Sequence, residues 1–138
     1  MEAKGKKVLV ADDEPDILEI IQYNLLKEGY EVETAKDGDE ALTKAKSFKP
    51  DLIILDIMMP KKTGIQVCEI LRAQPVYSGT LIIFLTALSD ENSHIKGLET
   101  GADDYITKPI SPKVLNSRVN AIFRRLGTDP QDKTITVG

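Results

Sequence analysis

Five polar residues stand where short apolar runs end. Asp12 and Asp13 follow Val8-Leu9-Val10-Ala11, Asp56 follows Leu52-Ile53-Ile54-Leu55, Thr86 follows Leu81-Ile82-Ile83-Phe84-Leu85, and Lys108 follows Tyr105-Ile106-Thr107. Runs this short and this apolar fit strands covered on both faces, and a carboxylate at the lip of such a strand is costly unless it has a task. Three carboxylates held close repel one another and resist ionisation. A divalent cation removes that conflict, and an all-oxygen site that keeps some water suits Mg²⁺. Lys108 brings a compact positive charge and Thr86 a hydroxyl donor. The set fits phosphoryl transfer: Asp56 as the nucleophile that becomes an acyl phosphate, the cation and Lys108 against the charge on the phosphoryl oxygens, and Thr86 bonded to one of them.

Each residue also has a plainer explanation. Asp12 and Asp13 favour the positive end of a following helix, Thr86 suits a strand-end turn, and Lys108-Pro109 suits an ordinary loop. Glu14 and Asp16 read as helix-start charges without chemistry. The plain explanations would all have to coincide at one sheet edge, and that coincidence favours the site. His94 falls in the middle of a predicted helix, away from the strand ends, and reads as a solvated residue. Cys68 lies in Gly64-Ile65-Gln66-Val67-Cys68-Glu69-Ile70-Leu71 and reads as a buried core thiol.

The elements that position these residues alternate strand with helix, which predicts an α/β layer fold with a mainly parallel sheet. Pro15 opens a helix in which Ile17, Leu18, Ile21, Leu25 and Leu26 recur at helical spacing, ended by Gly29. Tyr30-Glu31-Val32-Glu33-Thr34 alternates like a strand. Asp37-Gly38 precedes a helix bearing Ala41, Leu42 and Ala45, which must stop before Pro50. A helix with a thin apolar face, chiefly Ile95 and Leu98, is predicted from Asp90 to Gly101. Ser111 caps the last helix, with Pro112 at its first position and Leu115, Val119, Ile122 and Leu126 as its buried stripe. In a sheet of this kind the loops beyond the carboxyl ends of the strands form the ligand crevice, where Asp12, Asp13, Asp56, Thr86 and Lys108 would meet.

Composition sets outer bounds. The 138 residues suit one domain, and a net charge of −4 argues against a broad nucleic-acid footprint. A single cysteine excludes an internal disulfide framework and suits a reducing compartment. No apolar stretch approaches the roughly 20 residues of a membrane span, and the polar start is no signal peptide, so a cytoplasmic location is expected.

From Lys6 to Arg125 the chain resembles the receiver domain of two-component response regulators. The likeness rests on Val-Leu-Val-Ala-Asp12-Asp13-Glu14-Pro15, Asp51-Leu-Ile-Ile-Leu-Asp56-Ile-Met-Met-Pro60, Leu-Thr86-Ala87 and Gly101-Ala-Asp-Asp-Tyr105-Ile-Thr-Lys108-Pro109. The resemblance implies a flavodoxin-like (βα)5 fold, a doubly wound parallel sheet of five strands in the order 2-1-3-4-5. It implies that Asp56 accepts phosphate from a sensor histidine kinase. It further implies that Asp13 binds Mg²⁺ directly, that Asp12 acts beside it, often through water, and that the carbonyl of Met58 is the backbone ligand. Thr86 and Lys108 would contact the phosphoryl group, the peptide before Pro109 would be cis, and Tyr105 would swing inward as Thr86 engages phosphate. Such a domain is a signalling module, catalysing only its own phosphorylation and dephosphorylation.

Gly97-Leu98-Glu99-Thr100-Gly101-Ala102-Asp103-Asp104-Tyr105, with Ser111-Pro112-Lys113 and Arg124-Arg125, is most similar to the subfamily whose receiver precedes a winged-helix DNA-binding domain. Residues 1–126 would then be the receiver, and 127–138 a linker with Thr134-Ile135-Thr136-Val137 as the effector's first strand. A stand-alone receiver working through protein–protein contacts is the alternative. Receivers of that subfamily dimerise through the fourth helix, fifth strand and fifth helix. Asp104 and Arg118 match one ion pair of that face, but His94, Val114 and Asn120 stand where charge is expected. Met58 and Leu88, which flank the phosphoryl site, are apolar and cannot orient a hydrolytic water, so a long-lived phosphoryl-Asp is expected. Two rivals are weaker. A Mg²⁺-dependent phosphatase needs an acid two residues after its nucleophile, where Met58 stands. A flavodoxin-like electron carrier needs a Ser/Thr/Gly-rich phosphate loop where this chain has Asp12-Asp13-Glu14.

Overall fold

The computed structural model describes residues 5–87 and 99–127. Five strands, β1 (Lys7–Ala11), β2 (Glu31–Ala35), β3 (Leu52–Asp56), β4 (Leu81–Ala87) and β5 (Asp104–Lys108), form one sheet in the order β2-β1-β3-β4-β5. Every neighbouring pair is parallel. Four described helices cover it: α1 (Pro15–Lys27), α2 (Gly38–Phe48), α3 (Gly64–Arg72) and α4 (Pro112–Gly127). A 3₁₀ turn at Pro75–Tyr77 precedes β4. The alternation, the parallel sheet and its order agree with expectation.

The two-residue period of a strand sorts the core into two layers. Val8, Val10, Ile54, Ile83, Leu85 and Ile106 face α1 and α4, meeting Ile21, Leu25, Leu115, Val119 and Ile122. Leu9, Ile53, Leu55, Ile82 and Phe84 face α2 and α3, meeting Ala41, Ala45, Val67, Cys68 and Leu71. Cys68 is a fully buried free thiol, its pKa pushed up to about 11 chiefly by burial. One expectation fails on α1: Leu26 is 50% exposed. Ile17, Ile21 and Leu25 follow one another at four-residue steps onto the sheet, and Leu26 lies about 100° round the helix from Leu25.

Local signals start the helices where they were expected. Pro15 takes the first position of α1. The Asp37 carboxylate accepts from the Glu40 N–H at 2.7 Å to cap α2. Thr63 and Gln66 bond reciprocally across the start of α3, at 3.1 and 2.9 Å. Ser111 Oγ accepts from the Val114 N–H at 3.4 Å at the start of α4. Of the helix predicted after Asp90, Glu99 and Thr100 are helical and Gly101, at φ +118°, ends the turn. Residues 90–98, including His94, and the stretch from Thr128 lie outside the described residues, as do Leu88 and the side chain of Leu126.

Candidate functional site

Register decides which strand ends meet. Ala11 pairs with Leu55 and Asp56 with Leu85, so the residues after β1 and the last residues of β3 and β4 share one edge. Ala87 pairs with Lys108, which brings the end of β5 to the same edge. Asp12 is fully buried, Asp56 is 4% exposed and Thr86 is 2% exposed, whereas Asp13 lies open to solvent. Asp12, Asp13 and Asp56 each offer a carboxylate oxygen, and these oxygens lie within 4.8 Å of one another.

Lys108 ends β5 with its Nζ 3.3 Å from Asp56 Oδ2 and 3.2 Å from Asp12 Oδ2. Glu14, which the sequence left without chemistry, joins at 3.7 Å from the same Nζ. The other oxygens are held by backbone: Asp12 Oδ1 accepts from the Glu14 N–H at 2.9 Å, and Asp56 Oδ1 from the Met58 N–H at 3.2 Å. Asp12 Oδ2 has an ion-pair neighbour in Lys108 but, among the described residues, no well-aligned hydrogen-bond donor. Thr86 Oγ1 donates to the Ala87 carbonyl at 3.4 Å, so its hydroxyl is turned to its own backbone.

The electrostatics follow from this crowding. Burial, then the Asp12 charge, push the Asp56 carboxyl up to about 6, against the opposing pull of Lys108 and the Met58 amide. Burial likewise raises Asp12. Burial would lower Lys108, but the Asp56 and Asp12 carboxylates outweigh it and its pKa is raised. One ammonium therefore serves more carboxylates than it can satisfy. A buried carboxylate oxygen without a donor and a set of three oxygen ligands within reach of one another fit a hard divalent cation.

The loop between β3 and α3 completes the edge. Met58 is 67% exposed. The Gly64 N–H donates to the Ile57 carbonyl at 2.9 Å, and a Cβ on Gly64 would lie 2.3 Å from the Asp56 carbonyl oxygen. The Lys108–Pro109 peptide is cis, as expected. Tyr105 is half-buried against the layer under α2 and α3. Arg118 Nη1 reaches both Asp104 oxygens of its own chain at 3.0 and 3.1 Å. Asn120, read from the sequence as a departure on a dimer face, accepts from the Tyr30 hydroxyl and donates to Glu28 Oε1 at 3.0 Å. Its side chain is engaged within the chain, a role no sequence spacing announces.

A five-stranded 2-1-3-4-5 sheet with three acids and a lysine at its carboxyl edge defines a class, and the sequence profile of the response regulator receiver domain matches residues 8–120. The chain belongs to that family, and is thereby a signalling domain rather than a conventional enzyme. It is 55% identical over 121 residues to the alkaline phosphatase synthesis transcriptional regulatory protein PhoP of Bacillus subtilis, covering 88% of this chain and 50% of that one. It is 42% identical over 132 residues to the DNA-binding response regulator MtrA of Mycolicibacterium smegmatis, covering 96% of this chain and 57% of that one. The chain thus spans about half the length of these relatives. Among solved structures, the chemotaxis response regulator CheY4 of Vibrio cholerae superposes with a TM-score of 0.81 at 36% identity, covering 86% of this chain and 99% of that one. A Francisella response regulator receiver domain does so at 0.80 and 40%, covering 88% and 99%. Among the described residues no helix is long and apolar enough to cross a membrane.

Proposed function

We propose that this domain accepts a phosphoryl group on Asp56 from the phosphohistidine of a sensor kinase and uses it to switch a DNA-binding output. The observation that carries the reading is the convergence of Asp12, Asp13 and Asp56 with Lys108 at one sheet edge. An Asp56 oxygen attacks phosphorus in line; the P–N bond to the donor histidine breaks with its electron pair as the P–O bond forms. Lys108, already 3.3 Å from Asp56 Oδ2, offsets negative charge on the phosphoryl oxygens. The Thr86 hydroxyl leaves the Ala87 carbonyl to bind one of those oxygens. Asp12, Asp13, Asp56 and the carbonyl of Met58 would hold Mg²⁺, which supplies positive charge to both the carboxylates and the phosphoryl group.

Engagement of Thr86 favours the arrangement with Tyr105 inward, which alters the face of β5, α4 and the helix predicted after Asp90. A second receiver or an effector in cis reads that face. The names of the relatives PhoP and MtrA support a transcriptional output. In this reading residues 1–126 are the receiver, 127–138 lead into an effector, and the domain works in the cytoplasm. Apart from its own phosphorylation and dephosphorylation the domain turns over no substrate. Met58 in place of an acid two residues after Asp56 supports this over a phosphatase.

Incubation with acetyl phosphate and Mg²⁺ tests the reading. One phosphoryl group per chain is expected, with none in EDTA and less than about one-hundredth of the wild-type rate for Asp56→Asn. Labelling of Asp56→Asn at the wild-type rate would overturn the assignment.

A further inference from the structure

Gly38 approaches the loop between β3 and α3 more closely than any side chain would permit. It opens α2 with an ordinary backbone, so the position does not need a glycine for its φ. It needs one for space. A Cβ there would lie 2.3 Å from the Lys62 carbonyl oxygen, 2.5 Å from Lys62 Cβ and 2.9 Å from the Lys62 carbonyl carbon. The first of these is backbone and cannot swing aside. The contact is also fastened: the Gly38 N–H donates to the Pro60 carbonyl at 3.3 Å, and Lys62 Nζ pairs with Asp39 Oδ1 at 2.7 Å. The loop so gripped contains Lys61 at φ +72° and a Lys62 N–H bond to the Pro60 carbonyl at 2.8 Å. At its root, Gly64 packs on the Asp56 carbonyl. Met58 lies between the two grips.

We propose that Gly38, with Asp39, is a positioning residue that sets the loop presenting the Met58 carbonyl, and thereby sets the cation affinity of the acidic pocket. The inference rests on the reading of Asp12, Asp13, Asp56 and Met58 as a Mg²⁺ site. Neither Gly38 nor Asp39 touches the ion; they act by where they hold Pro60 and Lys62. Supports of this indirect kind typically change metal affinity by about 10- to 100-fold when removed.

The test compares wild type, Gly38→Ala, Asp39→Asn and, as a control in the opposite layer, Ile122→Val. Mg²⁺ affinity is measured by calorimetry, the Met58 amide shift by NMR in EDTA, and the metal-free melting temperature alongside. The expected result is a Mg²⁺ Kd raised about tenfold in Gly38→Ala and about twofold in Asp39→Asn, which removes only an exposed ion pair. The Met58 amide should move in both without metal, while Ile122→Val lowers the melting temperature and leaves affinity and amide unchanged. If Gly38→Ala does not fold, Asp39→Asn decides by the same two readouts. Wild-type affinity and an unmoved Met58 amide in the folded variants would overturn the proposal. If wild type itself binds no Mg²⁺ through Asp13, the reading of the site fails instead, and the metal-free Met58 shift alone then decides whether the grip exists.

Discussion

The two edges of the sheet carry the same residue types and treat them differently. At the amino edge Asp51 and Asp103 are matched to donors that the fold leaves free. Asp51 Oδ2 accepts from the Lys7 N–H at 2.8 Å, and Asp103 Oδ2 accepts from the Ile82 N–H at 2.9 Å and from Arg72 Nη2 at 3.2 Å. Arg72 also donates to the carbonyls of Gly101 and Tyr77, at 3.0 and 2.9 Å, tying α3 to the turns before β4 and β5. At the carboxyl edge acids outnumber donors. Lys108 is divided among Asp12, Asp56 and Glu14, and Asp12 Oδ2 has no well-aligned hydrogen-bond donor among the described residues. Matched acids stabilise a fold; an excess of buried acid costs stability and creates affinity for whatever restores the balance.

That contrast can be broken first by pH. Asp56 sits near 6 in the folded protein against 3.8 when unfolded, so between those values the folded state holds more protons. Metal-free stability must therefore fall as pH rises from about 4 to about 6 and level off above. At about 1.4 kcal/mol per pH unit the Asp56 shift contributes a loss of about 3 kcal/mol. Asp12, also raised, acts in the same direction, and Lys108 titrates far above this window. Urea unfolding in EDTA across the window checks the slope, which Asp56→Asn should flatten. A stability that rises with pH there would refute an acid excess.

The amino edge should respond in the opposite manner. Arg72→Ala removes three donors, two of them to backbone carbonyls, and is expected to cost about 2 kcal/mol. Its rate of Mg²⁺-dependent labelling, taken where the variant is fully folded, should stay within about twofold of wild type. A folded Arg72→Ala that no longer labels would show the edges to be coupled. The smallest effect sharpens the carboxyl edge alone. Met58→Asn places an amide where an exposed thioether now stands, and phosphate release from the phosphorylated domain should speed up about fivefold, roughly 1 kcal/mol. No change would mean that water reaches Asp56 without help from this position.

Much of the carboxyl edge was legible in the sequence because parallel strands place their last residues together, and four short apolar runs announce the five polar residues that follow them. The rule found Asp12, Asp13, Asp56, Thr86 and Lys108 without reference to contacts. It passed over Glu14, whose reach to Lys108 depends on how α1 leaves β1. It also passed over Gly38 against Lys62, Arg72 against Gly101 and Asn120 against Tyr30. Each joins elements that are distant along the chain, and none repeats with a helical or strand period. Leu26 misled for a related reason: apolar character marks a face only when its angle round the helix agrees.

Gly64 gives the reciprocal bonds of Thr63 and Gln66 a second meaning. Because the peptide of Asp56 rests directly on the first residue of α3, a displacement of that helix end must be felt at the proposed phosphoacceptor. In the proposed reaction, whatever loosens that helix start would blur the aim of the attacking oxygen, though Thr63 and Gln66 have no part in holding the phosphoryl group. On that reading the accuracy of the chemistry is underwritten by two surface side chains whose evident business is only to begin a helix.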